Sequence, residues 1–395
     1  MSYNREIFFR HLAQTSANPI GLEIIKAEGI YQYDVSGKKY MDLISGFSVA
    51  NIGHSHPEVI RAVHDQAELY MHLIVYGEFI QSPQTAYSEL LTRHLPPSLN
   101  CVYFTNSGTE ATEGALKLAR RVTGRTNVIA FNQGYHGSTQ GSLSVMGDEY
   151  YRNAFRPLIP GVFHFDYDDD EVLHAIDKHT ACVILETVQA ESGITAPSKK
   201  WIQSLQQKCR EQNALLILDE IQAGFGRTGT LWAFEQFDIV PDVLLLGKAL
   251  GGGMPLGAFI ADKKLMQALS FNPVLGHITT FGGHPVSCAA GKAAFDVLLQ
   301  ENYIASVRTK ETILIKNLNH PAIQEKKHFG LWVSLQFESI EMAQRIIHGC
   351  VEQGLITDWF LFAPDRMRIA PPLTISEAEI EEACKIILNV IDENG

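Results

Sequence analysis

The feature that most narrows the fold is a series of short, almost unbroken apolar segments between residues 101 and 261, separated by stretches with helical spacing. Seven of them read as strands: 101–105, 127–131, 161–165, 181–186, 214–219, 243–247 and 256–261. A strand that alternates polar and apolar residues has one wet face. A strand that is apolar throughout is covered on both faces, as in a mostly parallel sheet packed between helices. Helix-like segments at 109–121, 199–212 and 286–299 supply that cover. The expectation is an α/β chain whose large domain carries a mostly parallel, seven-stranded sheet. After residue 300 the pattern changes to helix, strand (331–337), helix (340–352), strand (367–369) and a last helix opened by the capping box Ser376-x-x-Glu379. That reads as a smaller α+β domain. The first residues hold a turn, Asp34-Val-Ser-Gly37, between aromatic strand-like stretches, and are expected to pack with the smaller domain. The boundaries expected are 1–50 for this N-terminal segment, 51–295 for the large domain and 296–395 for the small one.

Bulk properties remove several functions. The 395 residues carry a net charge of −12, whereas nucleic-acid-binding surfaces are basic, so no nucleic-acid partner is expected. The opening MSYNREIFFRHL lacks an apolar signal core, and no run approaches the roughly 18 residues of a membrane span. Six cysteines lie far apart without a CxxC pair, and the 15 histidines form no HExxH. A cytoplasmic location, reduced thiols and no metal site are expected.

The stretch Val243-Leu-Leu-Leu-Gly-Lys248-Ala-Leu-Gly251-Gly-Gly253 places a lysine directly behind a buried strand. Burial disfavours an ammonium and frees the amine to act as a nucleophile. The glycines would let other backbone and a flat ligand come close. A snorkelling lysine at a strand end is the plainer explanation when Lys248 is taken alone. Thr105-Asn-Ser107-Gly108-Thr109 ends one strand and opens a helix, so free N–H groups and the helix dipole could receive a phosphate. An ordinary Ser/Thr cap gives the same letters. Asp219 ends the strand 214–219, where a carboxylate needs a cationic partner, either a protonated ring nitrogen or a side chain. Tyr135, after the strand 127–131, could stack on a ring or belong to the core. A literal GxGxxG, Gly224-Phe-Gly226-Arg-Thr-Gly229, is separated from Asp219 by four residues and opens no helix, which argues against a nicotinamide-binding turn.

Lysine, phosphate cradle, strand-end Asp and aromatic platform together make the parts list of pyridoxal phosphate chemistry. The chain resembles the class III (subgroup II) aminotransferases of the large fold-type I family. The likeness runs from Gly29–Asp42 to Arg368-Ile-Ala-Pro-Pro372, and is most specific in the block 215–258, LLILDEIQAGFGRTGTLWAFEQFDIVPDVLLLGKALGGGMPLGA. In layout it is nearest the ornithine and acetylornithine members. The resemblance implies that Lys248 holds the cofactor as an internal aldimine and later moves a proton. It implies that Asp219 pairs with the ring nitrogen, that Tyr135 stacks on the ring beside His136, and that Gln222 lies near the phenolic oxygen. Ser107, Gly108 and Thr109 would hold the phosphate. Thr280 would reach the phosphate in a neighbouring subunit, which makes a homodimer the expected assembly. Arg368 would clamp a substrate carboxylate, with Glu191 masking it when a ω-amine occupies the pocket.

Two departures bear on substrate. Where ornithine, acetylornithine and 4-aminobutyrate members usually carry an arginine after the aromatic-His-Gly motif, this chain has Ser138. Thr187 replaces the usual proline after Glu186, with only a local backbone effect expected. The reading is amino transfer from an ornithine- or acetylornithine-type donor to 2-oxoglutarate. The alternatives are a diamine, β-amino acid or taurine-like donor, with pyruvate or 2-oxoglutarate, or an aminomutase on the same scaffold.

Overall fold

The computed structural model describes residues 2–394 and arranges their strands in three sheets. Strands β1 (Ile24–Glu28), β2 (Tyr31–Asp34) and β3 (Lys39–Asp42) form an antiparallel meander near the N-terminus. The central strands follow: β4 (Cys101–Thr105), β5 (Asn127–Phe131), β6 (Val162–Phe165), β7 (Thr180–Glu186), β8 (Leu215–Asp219), β9 (Val243–Leu246) and β10 (Gly257–Ala261). Beyond residue 300 come β11 (Glu325–His328), β12 (Val333–Gln336), β13 (Leu355–Ile356), β14 (Asp358–Phe360) and β15 (Ala363–Ile369). β13 pairs in parallel with β3 and completes the first sheet, while β11, β12, β15 and β14 form the third.

All seven central candidates fall in one sheet, ordered β4-β10-β9-β8-β7-β5-β6. Only β10 runs against its neighbours. The alternation along each strand shows why their sequences look uniformly apolar. On β8, Leu216 and Leu218 face one core, while Leu215 and Ile217 face another. β7 and β9 divide in the same way, with Val183 and Leu244 on one side and Ile184 and Leu245 on the other. Each such side chain contributes about 1.5–3 kcal/mol by leaving water, which holds the sheet in a single register and makes its strand ends a rigid platform.

Sequence reasoning overlooked β1, β11, β13 and β14, the short or polar strands. β11, Glu-Lys-Lys-His, carries no apolar residue and forms only by pairing with β12. The GxGxxG segment binds no helix start. Its Arg227 is fully buried and donates to the carbonyls of Leu331 and Pro371 and to Ser45 Oγ and Asn51 Oδ1, so it braces three separate segments. Burial pulls its guanidinium down to about 9.

Candidate active site

The carboxyl ends of the parallel strands converge on one cavity of about 290 Å³, the place where open α/β sheets bind ligands. Gly108 and Thr109 come from the turn after β4, and Tyr135, His136, Gly137 and Ser138 from the loop after β5. Glu186 ends β7, Asp219 ends β8 with Ile221 and Gln222 behind it, and Lys248 follows β9. Eight of the residues singled out in the sequence therefore meet here: Gly108, Thr109, Tyr135, His136, Ser138, Asp219, Gln222 and Lys248.

Lys248 adopts a left-handed backbone, with φ at 49°, a conformation disfavoured by about 1–2 kcal/mol for a residue with a side chain. Lys248 opens the turn Lys248–Gly251 and lines the cavity. Burial lowers its pKa, against the opposing pull of Glu191, Asp219 and Glu186. Gly251–Gly253 do not serve the close ligand approach expected of them. None lines the cavity. A Cβ on Gly252 would stand 2.7 Å from the Ala290 carbonyl oxygen, so the glycine lets the helix Pro285–Gln300 pack against this turn.

Asp219 is held on both carboxylate oxygens. Its Oδ2 meets His136 Nδ1 at 2.8 Å, and Oδ1 accepts from the Ile221 amide at 2.9 Å. Burial opposes the imidazolium of His136, but the hydrogen bond and charge of Asp219 more than offset it and raise the pKa. His136 thus acts on Asp219 through Nδ1, while its Nε2 is buried without a partner. The phosphate-type cradle is tight. Gly137 has φ at 119°, and a Cβ there would fall 2.4 Å from Thr109 Cβ, so only glycine lets the loop after β5 press on the start of the helix Gly108–Thr123. The Thr109 hydroxyl is engaged with Thr139 and Ser142 at 2.7 and 2.9 Å. Ser107 caps that helix by accepting from the Glu110 amide, and lies outside the cavity lining.

Glu191 and Arg368 stand at the far side of the same cluster. The Gln222 amide nitrogen donates to Glu191 Oε1 at 3.2 Å, leaving Gln222 Oε1 buried and unpartnered. Arg368 grips Glu191 with both terminal nitrogens, at 3.0 and 2.7 Å. That bidentate pairing holds the Glu191 pKa down in spite of burial, and raises Arg368. Thr280 is not brought in. It is exposed, next to Phe281, which is 53% exposed.

Three residues contribute more than the sequence suggested: Glu186 and Thr187, to which it gave no site role, and Phe47, which it did not mark. Glu186, a second strand-end carboxylate in register with Asp219, accepts from the amides of Tyr135 and Ala190, each at 3.0 Å. It therefore fixes the aromatic platform through the backbone, and burial lifts its carboxyl to about 7. Thr187 does more than bend the chain. Its hydroxyl donates to buried Glu220 at 2.9 Å, and Glu220 also receives the Ala233 and Phe234 amides. Phe47, the third, lies over the Arg368 guanidinium at 5.1 Å.

The cavity has room for a flat ring and an anionic group, with a depressed lysine at one end, a doubly held carboxylate at its floor, and unpartnered polar atoms on His136 and Gln222. These features fit pyridoxal phosphate. Among the described residues no cluster of His, Cys, Asp and Glu could hold a metal ion, and no helix is long and apolar enough to cross a membrane.

Comparison with known proteins points the same way. Residues 12–391 match the family model described as Aminotransferase class-III. The acetylornithine aminotransferase of Methanopyrus kandleri is 38% identical over 98% of this chain and 97% of its own length. Ornithine aminotransferase 1 of Staphylococcus aureus is 36% identical over 92% and 93% respectively. Among solved structures, the ornithine aminotransferase of Toxoplasma gondii, described as holding pyridoxal phosphate at partial occupancy in its active site, superposes with a TM-score of 0.91. It is 30% identical, over 99% of this chain and 94% of that one.

Proposed function

Because the chain belongs to the class III aminotransferase family and is a pyridoxal-phosphate-dependent transaminase, we propose that it moves the terminal amino group of an ornithine- or acetylornithine-type donor to 2-oxoglutarate. The observation that carries this reading is the bidentate Glu191–Arg368 pair beside the lysine. With the pair closed, the far wall is neutral and accepts a ω-amine. With Glu191 displaced, Arg368 offers its two terminal nitrogens to a carboxylate.

When bound, pyridoxal phosphate supplies an aldehyde carbon that condenses with amines and a ring that withdraws electrons. Lys248 would be the residue that holds it covalently. Its lowered pKa keeps the amine available as a nucleophile and then as the base that takes and returns a proton. Asp219, fixed by His136 and the Ile221 amide, would pair with a protonated ring nitrogen. Tyr135 would cover the ring, Gln222 would meet the phenolic oxygen, and Ser107, Gly108 and Thr109 would surround the phosphate with the help of the helix N-terminus.

The assembly we propose is a homodimer in which Thr280 serves the partner's phosphate. Its support is the concentration of exposed apolar side chains on two segments: Leu69 (74%), Met71 (65%) and Ile80 (96%) on one, Val274 (72%) and Phe281 on the other. Such a concentration of apolar surface is the mark of an interface. Six cysteines without a disulfide suit a reducing, cytoplasmic setting.

Ser138 favours a second reading. Among the described residues Lys248 is the only lysine or arginine lining the cavity itself, and Arg368 stands behind it, paired with Glu191, so a second, distal carboxylate beside Ser138 finds no cation there. A diamine or other uncharged-tail donor, with pyruvate as acceptor, suits that wall better. An aminomutase on the same scaffold would release no keto acid when an acceptor is added. The deciding experiment is an absorbance titration of the cofactor-loaded enzyme with ornithine, N-acetylornithine, putrescine, β-alanine and glutamate, added singly. Bleaching of the visible band by glutamate and an ornithine-type donor supports the first reading. Bleaching by putrescine or β-alanine alone replaces it with the second.

A further inference from the structure

Glu191 is not the only carboxylate on Arg368. Asp358 stands directly across from Arg368 in the β14–β15 pairing, and its Oδ1 lies 3.1 Å from Arg368 Nε. Neither atom completes an aligned hydrogen bond, so the contact is an ionic one along the inner edge of the guanidinium. The two carboxylates differ in how they are carried. Glu191 sits on a loop whose next residues include Gly193 and Ile194, with φ at 78° and 68°, and it occupies the terminal nitrogens that a substrate carboxylate would also need. Asp358 is fixed on a strand and touches the edge that no substrate competes for. The remaining contacts divide the work. Phe47 and Phe360 lie at 5.1 and 4.5 Å from the guanidinium carbon and restrain its plane. The Trp359 carbonyl, accepting at 3.1 Å, and Asp358 restrain rotation within it.

We propose that Asp358 is the positioning residue of Arg368: it keeps the guanidinium aimed into the cavity while Glu191 is displaced. This rests on the reading above that Arg368 receives a substrate carboxylate. Electrostatics alone predicts the opposite consequence of removing Asp358, because a lost negative charge beside a cation strengthens anion binding. That opposing effect is reduced here, since burial holds the Asp358 carboxyl up at about 7 against the pull of Arg368. Positioning therefore decides the sign.

The test uses glutarate, a dicarboxylate with no amino or keto group to react, titrated by calorimetry into three cofactor-loaded variants. Glu191→Ala exposes Arg368 and is expected to bind it. Glu191→Ala with Asp358→Asn is expected to bind roughly tenfold more weakly, the scale of a displaced binding group. Glu191→Ala with Arg368→Gln is expected to lose binding. Equal or tighter binding when Asp358 is replaced overturns the proposal, tighter binding being what a purely electrostatic neighbour gives. No glutarate binding by Glu191→Ala, or full binding without Arg368, overturns instead the reading of Arg368 itself. Should the Asp358→Asn protein fail to fold by its melting curve, Asp358→Ser in the same background is judged by the same rule.

Discussion

Glu186 and Glu191 flank one short loop, yet Glu186 lines the cavity while Glu191 stands behind Gln222 against Arg368, and their carboxyls are shifted in opposite directions. On the cofactor wall, Glu186 ends a central strand, meets only backbone amides, and is pushed up to about 7 by burial. On the side we propose for substrate, Glu191 sits on a loop with left-handed residues and is held down by the Arg368 guanidinium. The cofactor wall is built from strand ends clamped by two apolar cores, so its groups, the Asp219–His136 pair included, are placed by the backbone of the sheet. The substrate wall is assembled from a loop, the β14–β15 pair and the turn Ser45–Ser48, whose residues are all left-handed. Its groups stay in place by pairing, and can be exchanged by re-pairing. A rigid wall suits a resident cofactor, and an exchangeable one suits substrates of different charge.

The largest effect should come from the rigid wall. Lys248→Ala is expected to lower turnover at least about 10³-fold, the scale of a lost proton shuttle, with an unchanged melting curve apart from lost cofactor stabilisation and no yellow colour after dialysis. Appreciable turnover in this variant would mean that another group performs the proton transfer. On the exchangeable wall, Arg368→Gln is expected to raise KM for carboxylate-bearing substrates by about 30-fold or more, since losing one partner of a desolvated charge pair costs about 2–5 kcal/mol. The kcat for a ω-amine without a carboxylate should change little. A parallel fall in kcat for both substrate types would show that Arg368 supports the whole site, and the contrast between the walls would fail.

The same contrast explains what could be read from sequence. The seven central strands and the residues at their ends were legible because double burial makes each strand apolar throughout, and because Asp219 and Lys248 are polar exceptions at its end. Glu186 carries the same signal at the end of β7. The substrate wall left weaker traces. Asp358 belongs to a three-residue strand, too short for periodicity to mark, and Phe47 sits on a left-handed turn that depends on Asp42 accepting from the Ile44 and Ser45 amides. Nothing local in Ser-Gly-Phe-Ser announces that geometry. It is set by contacts with distant residues, including Arg227 and Ala370.

Ser138 offers a smaller, sharper test of how far the substrate wall can be altered. It is exposed at the cavity mouth, with its hydroxyl 3.4 Å from that of Tyr135. Ser138→Arg would supply the cation the lining lacks. A partly solvated charged hydrogen bond is worth at most about 1 kcal/mol after screening, so KM for glutamate and 2-oxoglutarate should fall by roughly three- to fivefold, measured in each half-reaction. No change would mean that another group, such as one from the partner subunit, already serves the distal carboxylate.

The smallest expected effect is on stability, and it returns to the two glutamates. In the folded chain Glu186 keeps its proton up to about 7, whereas the unfolded chain gives it up near 4.5. Its contribution to stability is thus complete below about 4.5 and is lost as pH rises through about 7. Glu191 has the reverse sign. Its folded value lies below 4.5, so its contribution is present above 4.5 and is lost as pH falls through that depressed value. Melting temperature measured against pH should therefore lose part of its decline between about 4.5 and 7 in Glu186→Gln, and part of its acid-side decline in Glu191→Gln. Glu220, also raised to about 7 by burial, contributes to the first slope, so Glu186→Gln should flatten it without abolishing it. If both substitutions altered the same side of the profile, the two walls would share one electrostatic environment, and the division between a placed wall and a paired wall would have to be given up.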